Sequence, residues 1–229
     1  MTAPTSSEAL TPRQAWQALM EGNARFVRGE MDHPSQGVDR REEVSRTQRP
    51  FAVLFGCSDS RVAAEIIFDR GLGDMFVVRT AGHVVDTTVI GSIEYGVDIL
   101  GAPLVVVLGH DHCGALSAAT DALASGEMPT GFVRAIVDRV IPSLVTQTEP
   151  QHGSRHWSLT KFMGEDSRQI HIPDDDALRR QHVRATVQML QTYSVSLATA
   201  ISEGRCAVVG LEYDLADGAA RLVEQIGDI

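Results

Sequence analysis

Four short apolar runs divide this chain, and the segments between them place apolar residues at helical spacing. The runs read FAVLF (51–55), MFVVRT (75–80), LVVVL (104–108) and AVVGLEYDL (207–215). Strands that alternate with helices are typical of an α/β domain, and continuous Val and Leu runs are typical of parallel strands buried on both faces. The pattern therefore predicts a mainly parallel β-sheet with flanking helices.

Several helices are predicted around these strands. Thr11, Pro12 and Gln14 form a helix start with a capping box, and they open an N-terminal helical arm over residues 11–30. The apolar stripe of this arm packs either on the core of this chain or on a partner subunit, and we expect the second. Asp86 is predicted to cap the helix before the third strand. The other predicted helices cover residues 61–69, 115–125, 132–146 and 174–203.

The chain is expected to form one domain over residues 1–229. A length of 229 residues suits one large domain, and the sequence has no repeat of solenoid length. The polar residues 1–10 predict a disordered tail. Residues 147–174 mix polar residues, Gly and Pro without periodicity, and so predict an excursion on the surface. The chain is expected to end in a short helix or turn.

The charge of the chain argues against several classes of partner. The formal net charge is −10, whereas a nucleic-acid-binding surface is normally basic and a membrane surface is anionic. No apolar stretch approaches the roughly 20 residues of a membrane span, and the N-terminus lacks the features of a secretory signal. We therefore expect a cytoplasmic protein whose thiols stay free or bind metal. Cys206 lies in an apolar run and is predicted to be a small buried residue.

The chemistry of the chain is concentrated where two of the predicted strands end. Cys57 follows FAVLFG, and His110 and Cys113 follow PLVVVLG. Strand ends of a parallel sheet line one crevice, so these three side chains are expected to meet. Two thiolates and one imidazole leave one open position on a tetrahedral zinc ion, which separates a catalytic site from a structural one. The long separation of Cys57 from the other two excludes a compact zinc finger.

Asp59 and Arg61 stand beside the first cysteine in the segment CSDSR. Asp59 either takes the fourth position on the ion and closes the site, or accepts a hydrogen bond from metal-bound water. Arg61 can hold the Asp59 carboxylate with two parallel donors, although an ordinary ion pair at a helix N-terminus is the alternative. Adjacent residues seldom bind one ion, so His112 is predicted to face solvent. The histidines without ligand spacing, expected at the surface or in hydrogen bonds, are His33, His83, His152, His156 and His171.

The segments CSDSRVAAE, MFVVRTAGH, SIEYGV and VVLGHDHCGA resemble those of the β-class carbonic anhydrases. The resemblance covers nearly the whole chain. It implies a Zn²⁺ ion held by Cys57, His110 and Cys113, with Asp59 and Arg61 as a catalytic dyad. It also implies the reversible hydration of carbon dioxide to bicarbonate and a proton.

The resemblance implies a substrate pocket as well. In the family, a glutamine that matches Gln48 contacts substrate, and the backbone amide that matches Gly114 points toward substrate. Phe76 and Tyr95 match residues that enter the active site across a dimer interface, whereas composition alone would place both in the core. Together with Val62, they are expected to line a pocket for a small apolar substrate. The family further implies a homodimer, or a tetramer made of two dimers.

The sequence departs from one subset of this family, which binds bicarbonate at a regulatory pocket formed by a tryptophan, an arginine and a tyrosine. Arg79 and Tyr213 match two of these residues, but Leu54 stands where the tryptophan would be, so we expect no such regulation. Two alternatives for the function stay open. One is a hydrolase of carbon disulfide or carbonyl sulfide on the same scaffold. The other is a zinc-stabilised structural or redox-sensing protein without turnover, whose zinc has four protein ligands.

Overall fold

The computed structural model describes residues 10–144 and 175–229. Their helices are α1 (Pro12–Arg28), α2 (Val38–Glu43), α3 (Ala64–Ile67), α4 (Thr87–Glu94), α5 (Gly114–Ser125), α6 (Val133–Leu144), α7 (Asp175–Tyr193) and α8 (Val195–Ser202). Their strands are β1 (Ala52–Cys57), β2 (Met75–Thr80), β3 (Leu104–His110), β4 (Ala207–Tyr213) and β5 (Ala220–Ile226). A 3-10 turn (Ala81–His83) follows β2, and a π-helical turn (Tyr95–Ile99) continues α4.

The strands of the described residues form one sheet in the order β2-β1-β3-β4-β5. Strands β1 to β4 run parallel, and β5 is antiparallel to β4. Every residue of β1, β3 and β4 is buried, because helices cover both faces of the sheet. The predicted α/β class, with a mainly parallel sheet and flanking helices, is confirmed.

Successive residues of β1 point to opposite faces of the sheet and so join two different apolar clusters. Leu54 packs in the cluster that contains Leu19 of α1 and Phe68 beside α3. Phe55 packs in the cluster on the other face, which includes side chains of α4, α7 and α8. A third cluster joins α5 and α6 to the carboxyl end of the sheet. The carboxyl end is therefore walled by helices where β1 and β3 stop.

Helix α1 begins with the predicted capping box. The Thr11 amide donates to Oε1 of Gln14 (2.9 Å), and the Gln14 amide donates to the Thr11 hydroxyl (3.3 Å). Asn23, which is buried, donates to the backbone oxygens of Ile67 (3.2 Å) and Gly218 (2.9 Å). The inner face of the helix is therefore covered by this chain itself. Contact of the arm with a partner subunit stays a prediction for the outer face.

Two predicted helices differ from the structure near the site. The segment 61–69 is helical only over α3, because Asp59 holds the residues before that helix in a turn. The Arg61 amide donates to Oδ1 of Asp59 (2.9 Å), and the Val62 amide donates to the backbone oxygen of Asp59 (3.0 Å). Asp86 caps α4 as predicted, through hydrogen bonds from the amides of Thr88 (2.9 Å) and Val89 (3.0 Å). The last turn of that helix, however, is the π-helical turn.

The C-terminal part differs from expectation in two ways. The helix predicted over 174–203 is two helices in the described residues, separated at Ser194. The hydroxyl of Ser194 accepts from the Leu197 amide (3.0 Å) and donates to Glu94 (2.6 Å), so it caps α8 and ties it to α4. The expected short helix or turn at the chain end is wrong. Residues Ala220–Ile226 form β5 instead, because they pair with the free edge of β4.

Some predictions fall outside the described residues. These are the tail over 1–10, except for Leu10, the excursion over 147–174, and three histidines within that excursion. In the two described ranges, we find no helix with both the length and the apolar character required to cross a membrane.

Candidate active site

The three expected metal ligands lie together at the carboxyl edge of the sheet. Cys57 is the last residue of β1, His110 is the last residue of the neighbouring β3, and Cys113 is the N-cap of α5. One donor atom from each lies within 4.8 Å of the other two. In a tetrahedral zinc site with Zn–S bonds of about 2.3 Å, the donor atoms are about 3.8 Å apart. The spacing of these three side chains therefore suits a zinc ion.

The ring of His110 is oriented for metal binding. Its Nδ1 atom lies 2.7 Å from the backbone oxygen of Asp111, an acceptor, so Nδ1 carries the proton. Its Nε2 atom is buried and has no hydrogen-bond partner among the described residues. A buried acceptor without a partner is costly, and a metal ion would remove that cost. The environment of His110 thus fits a metal ligand better than a core histidine.

The two thiols are coupled to each other. The Cys113 thiol hydrogen-bonds to the Cys57 sulfur and lowers the pKa of Cys57 to about 4, although burial acts in the opposite direction. The same hydrogen bond raises the pKa of Cys113, and burial raises it further. The amides of Leu116 and Ala115, at the start of α5, oppose this rise. The pair thus favours a thiolate at Cys57 beside a neutral Cys113 thiol, and a dication would displace the remaining thiol proton.

Arg61 grips both carboxylate oxygens of Asp59. Its Nε atom donates to Oδ1 (2.9 Å) and its Nη2 atom donates to Oδ2 (2.7 Å). The Arg61 hydrogen bond holds the pKa of Asp59 well below its usual range, so this carboxylate is ionised at neutral pH. Arg61 also donates to the backbone oxygen of His112 (3.3 Å), which links the dyad to the loop that carries Cys113.

Arg79 supports the same loop from β2. Its Nε atom donates to the backbone oxygen of Cys57 (2.9 Å) and its Nη2 atom donates to that of Asp59 (2.6 Å). Sequence reasoning connected Arg79 only with a regulatory pocket, together with Tyr213 and Leu54. Those two side chains are buried in one apolar cluster. In this structure, Arg79 holds the backbone on which Cys57 and Asp59 stand.

The expected substrate residues are not gathered around the ligands of one chain. Phe76 pairs with Val53 of β1 in the sheet. Val53 lies four residues before Cys57, a distance along the strand of about 13 Å at 3.3 Å per residue. Phe76 and Tyr95 contact each other, with ring centroids 6.0 Å apart, and Tyr95 is 48% exposed. This chain therefore does not bring the two rings to its own metal ligands.

The other expected substrate residues are scattered. Gln48 is exposed in the segment before β1, and Val62 is buried in the core with Leu54. Gly114 is exposed at the first position of α5, where a backbone amide has no partner within the helix. Beside it opens a cleft lined by His110, Cys113 and residues of α5 and α7. Gly114 is thus next to the ligands, whereas Gln48 is exposed on the chain.

Two single-residue predictions are confirmed and one is wrong. The side chain of His112 is 81% exposed, as expected for a histidine that is not a ligand. Cys206 is 1% exposed, and burial raises its pKa to about 12. His83, expected at the surface or in a hydrogen bond, is 1% exposed and has no partner for either ring nitrogen among the described residues. Its ring packs instead on that of His182, with centroids 4.2 Å apart.

Sequence reasoning missed His182 and the role of Gly82. His182 lies within α7 and Gly82 lies in the turn after β2, and neither has ligand spacing. The Gly82 amide nevertheless donates to the Cys57 sulfur (3.2 Å), and Nε2 of His182 lies 2.9 Å from the Gly82 backbone oxygen. One signal was available for Gly82: it lies in the segment MFVVRTAGH, two residues after the predicted strand ends.

The fold and the three donors define an α/β protein with a candidate metal centre at neighbouring strand ends. A family model described as carbonic anhydrase matches residues 52–220. A carbonic anhydrase of Mycolicibacterium smegmatis is 51% identical over 218 residues, which cover 95% of this chain and 96% of that protein. The chain therefore belongs to the carbonic anhydrase family, and the recognition made from its motifs is confirmed.

Solved structures of β-carbonic anhydrases share the fold. The Coccomyxa β-carbonic anhydrase in complex with acetazolamide has a TM-score of 0.63 and 23% identity, with 81% of this chain and 77% of that chain covered. One of two tetrameric β-carbonic anhydrases from Sordaria macrospora has a TM-score of 0.61 and 21% identity, with 79% and 84% covered. The architecture of the sheet and its helices is thus that of the β class.

Proposed function

We propose that this protein catalyses the reversible hydration of carbon dioxide to bicarbonate and a proton, with Zn²⁺ at Cys57, His110 and Cys113. The observation that carries the proposal is the convergence of these three donors, with Nε2 of His110 buried and unpaired among the described residues. Membership of the carbonic anhydrase family supports the choice of reaction. When bound, Zn²⁺ acts as a Lewis acid that activates water for attack on carbon dioxide.

In this proposal, Asp59 orients the attacking water. An ionised carboxylate accepts a hydrogen bond from that water and so directs a lone pair at the carbon of carbon dioxide. Arg61 holds the carboxylate in place, because it occupies both oxygens in a bidentate pair. Without Arg61, Asp59 would be free to turn toward the metal position and exclude water.

The same pair argues against a purely structural zinc protein. Such a protein needs a fourth protein ligand, and Asp59 is the expected candidate. Arg61 engages both oxygens of Asp59, so a metal ion held by Cys57, His110 and Cys113 would keep one position for solvent. This arrangement favours catalysis over a closed structural or redox-sensing site.

We infer that the substrate pocket is completed by a second subunit. Tyr95 and the neighbouring Ile99 are 48% and 68% exposed, and Phe76 packs beside Tyr95. Adjacent aromatic and aliphatic side chains that are exposed in one chain are typical of a surface that a partner subunit covers. Phe76 and Tyr95 of one subunit, together with Gln48, would then enter the site formed by Gly114 and the ligands of the other. A homodimer, or a tetramer of two dimers, is the assembly this requires.

The location proposed for the protein is the cytoplasm. All three cysteines, Cys57, Cys113 and Cys206, are free thiols in the structure. The metal centre needs two of them as thiolates, and a reducing compartment keeps them available.

The direct test is stopped-flow hydration of carbon dioxide across pH, with zinc content measured on the same sample. Rapid hydration that rises with zinc occupancy would support the proposal. A fully zinc-loaded sample with no hydration would contradict it, and the same sample assayed with carbon disulfide would then test the alternative hydrolase.

The shared pocket is tested with two defective variants. Cys57→Ser removes a ligand, and Tyr95→Ala removes the ring that should act in the other subunit. A mixed dimer combines one intact metal centre with one intact Tyr95 across the interface, so co-expressing the two variants should restore activity above either variant alone. Activity no greater than the sum of the two separate variants would show that Tyr95 does not act across an interface.

A further inference from the structure

A backbone amide donates a hydrogen bond to the sulfur of Cys57. The amide belongs to Gly82, in the 3-10 turn after β2, and lies 3.2 Å from Sγ. Gly82 has a φ of 65°, in the left-handed region, and a Cβ at this position would lie 2.6 Å from Cβ of Ala115. Only glycine adopts this conformation in this space without strain. The turn is therefore built to bring a backbone donor to the sulfur.

The following residue makes this turn unfavourable on its own. His83 also has a positive φ, 40°, which is uncommon for a residue with a side chain. Two consecutive left-handed residues persist only where surrounding contacts hold them. Other contacts must therefore stabilise the turn.

His182 supplies one such contact from α7. Its Nε2 atom lies 2.9 Å from the backbone oxygen of Gly82, and because that oxygen only accepts, Nε2 carries the proton. Its Nδ1 atom lies 2.6 Å from the hydroxyl of Ser143, whose single proton is shared between Nδ1 and the backbone oxygen of Val140 (2.6 Å). Both His182 and Ser143 are buried. The ring of His182 is thus fixed at both nitrogens, and it also packs against His83.

We propose that His182 is a positioning residue for the metal centre: through the backbone oxygen of Gly82, it fixes the turn that aims the Gly82 amide at the Cys57 sulfur. His182 donates to Gly82, Gly82 donates to Cys57, and contact with the Ser143 hydroxyl holds the other side of the His182 ring. Outer partners of this kind orient ligands and tune the electron density that they give to a metal. This inference rests on the proposed zinc site.

The test compares metal affinity and ligand spectra in three variants of the full chain. His182→Leu keeps a buried apolar side chain but removes the donor to Gly82. His182→Gln can place an amide donor at a similar reach. Thr186→Val is the matched control, since Thr186 is equally buried on α7 and its hydroxyl donates to the backbone oxygen of His182 (2.9 Å), away from Gly82.

We expect His182→Leu to weaken zinc binding roughly 10- to 100-fold in chelator competition, the usual effect of losing an outer-shell partner. It should also shift the sulfur-to-metal charge-transfer band of the cobalt-substituted protein. His182→Gln should recover most of the affinity, and Thr186→Val should leave both readouts unchanged. If His182→Leu binds zinc like the unsubstituted protein, or if His182→Gln is no better than His182→Leu, the inference is wrong.

Two further outcomes are covered. If His182→Leu does not fold, Ser143→Ala serves instead: it releases Nδ1 of His182, so zinc affinity should fall, and an unchanged affinity would overturn the inference. If the unsubstituted protein binds neither zinc nor cobalt, the proposed metal site fails. If it binds both metals and His182→Leu does not differ from it, the positioning role alone fails.

Discussion

Replacing Arg61 with Ala separates the position of Asp59 from its charge. In the structure, Oδ2 of Asp59 receives the Nη2 donor of Arg61, and Oδ1 receives both the Nε donor and the Arg61 amide. The substitution removes both side-chain donors and leaves the single amide. The pKa of Asp59 should then rise toward its ordinary value near 3.8. Because that value lies far below neutral pH, Asp59 stays ionised and loses its fixed orientation rather than its charge.

The expected size of the effect follows from orientation. Displacement of a catalytic group by about 1 Å can lower a rate by about 100-fold, and a freed Asp59 can also occupy the open metal position. We therefore expect hydration of carbon dioxide to fall about 100-fold or more, with zinc retained, since Arg61 contacts none of the three ligand side chains in the hydrogen bonds described. The unfolding temperature should change little, because the Arg61 side chain is 52% exposed.

The assay is stopped-flow hydration between pH 6 and pH 9, with zinc content and thermal unfolding measured on the same preparation. Arg221→Ala is the matched control: it breaks another exposed Arg–Asp pair, with Asp217, on the far edge strand β5. A deficit in Arg61→Ala with zinc retained and the fold intact would support the loss of orientation. Full activity would refute the reasoning.

Three further predictions follow from the same contacts. Cys57→Ser should lose zinc and activity together, and a zinc-loaded variant found by metal analysis would contradict the ligand set. Burial raises the Cys206 pKa to about 12. The neutral thiol therefore stabilises the folded state in full below about pH 9. This contribution to the free energy of unfolding falls by roughly 4 kcal/mol as pH rises to about 12. The stability advantage over Cys206→Ala, measured by urea unfolding, should therefore narrow above pH 9, and a constant difference would contradict it. Bicarbonate should inhibit without cooperativity, because Leu54 is apolar and Arg79 is engaged by two backbone oxygens; sigmoidal inhibition in the hydration assay would count against this.

Much of the site was predictable because its residues are tied to local patterns. Cys57 and His110 each end a run of apolar residues, and such runs form strands wherever both faces are covered. Parallel strands end at one edge, so two neighbouring strands bring their last residues together. Asp59 and Arg61 are close in sequence, and their bidentate pair needs few other contacts. Short-range order was sufficient for these features.

The remaining features depend on contacts between distant parts of the chain. The residues of β5 form a strand because the edge of β4 is available, and Ser194 interrupts the last long helical segment where it meets Glu94 of α4. His182 and Gly82 are 100 residues apart in sequence, and neither has a local pattern that indicates the other.

The amino-acid sequence alone was therefore enough to predict strands β1 to β4, the candidate metal ligands and the family, since periodicity and short motifs encode all three. The hydrogen bonds that link His182 through Gly82 to the Cys57 sulfur could be recognised only in the tertiary structure. A buried histidine and a left-handed glycine have no ligand spacing and no repeating pattern. Their function depends on one hydrogen bond across the core, and packing of α7 against the sheet is what brings its two atoms together.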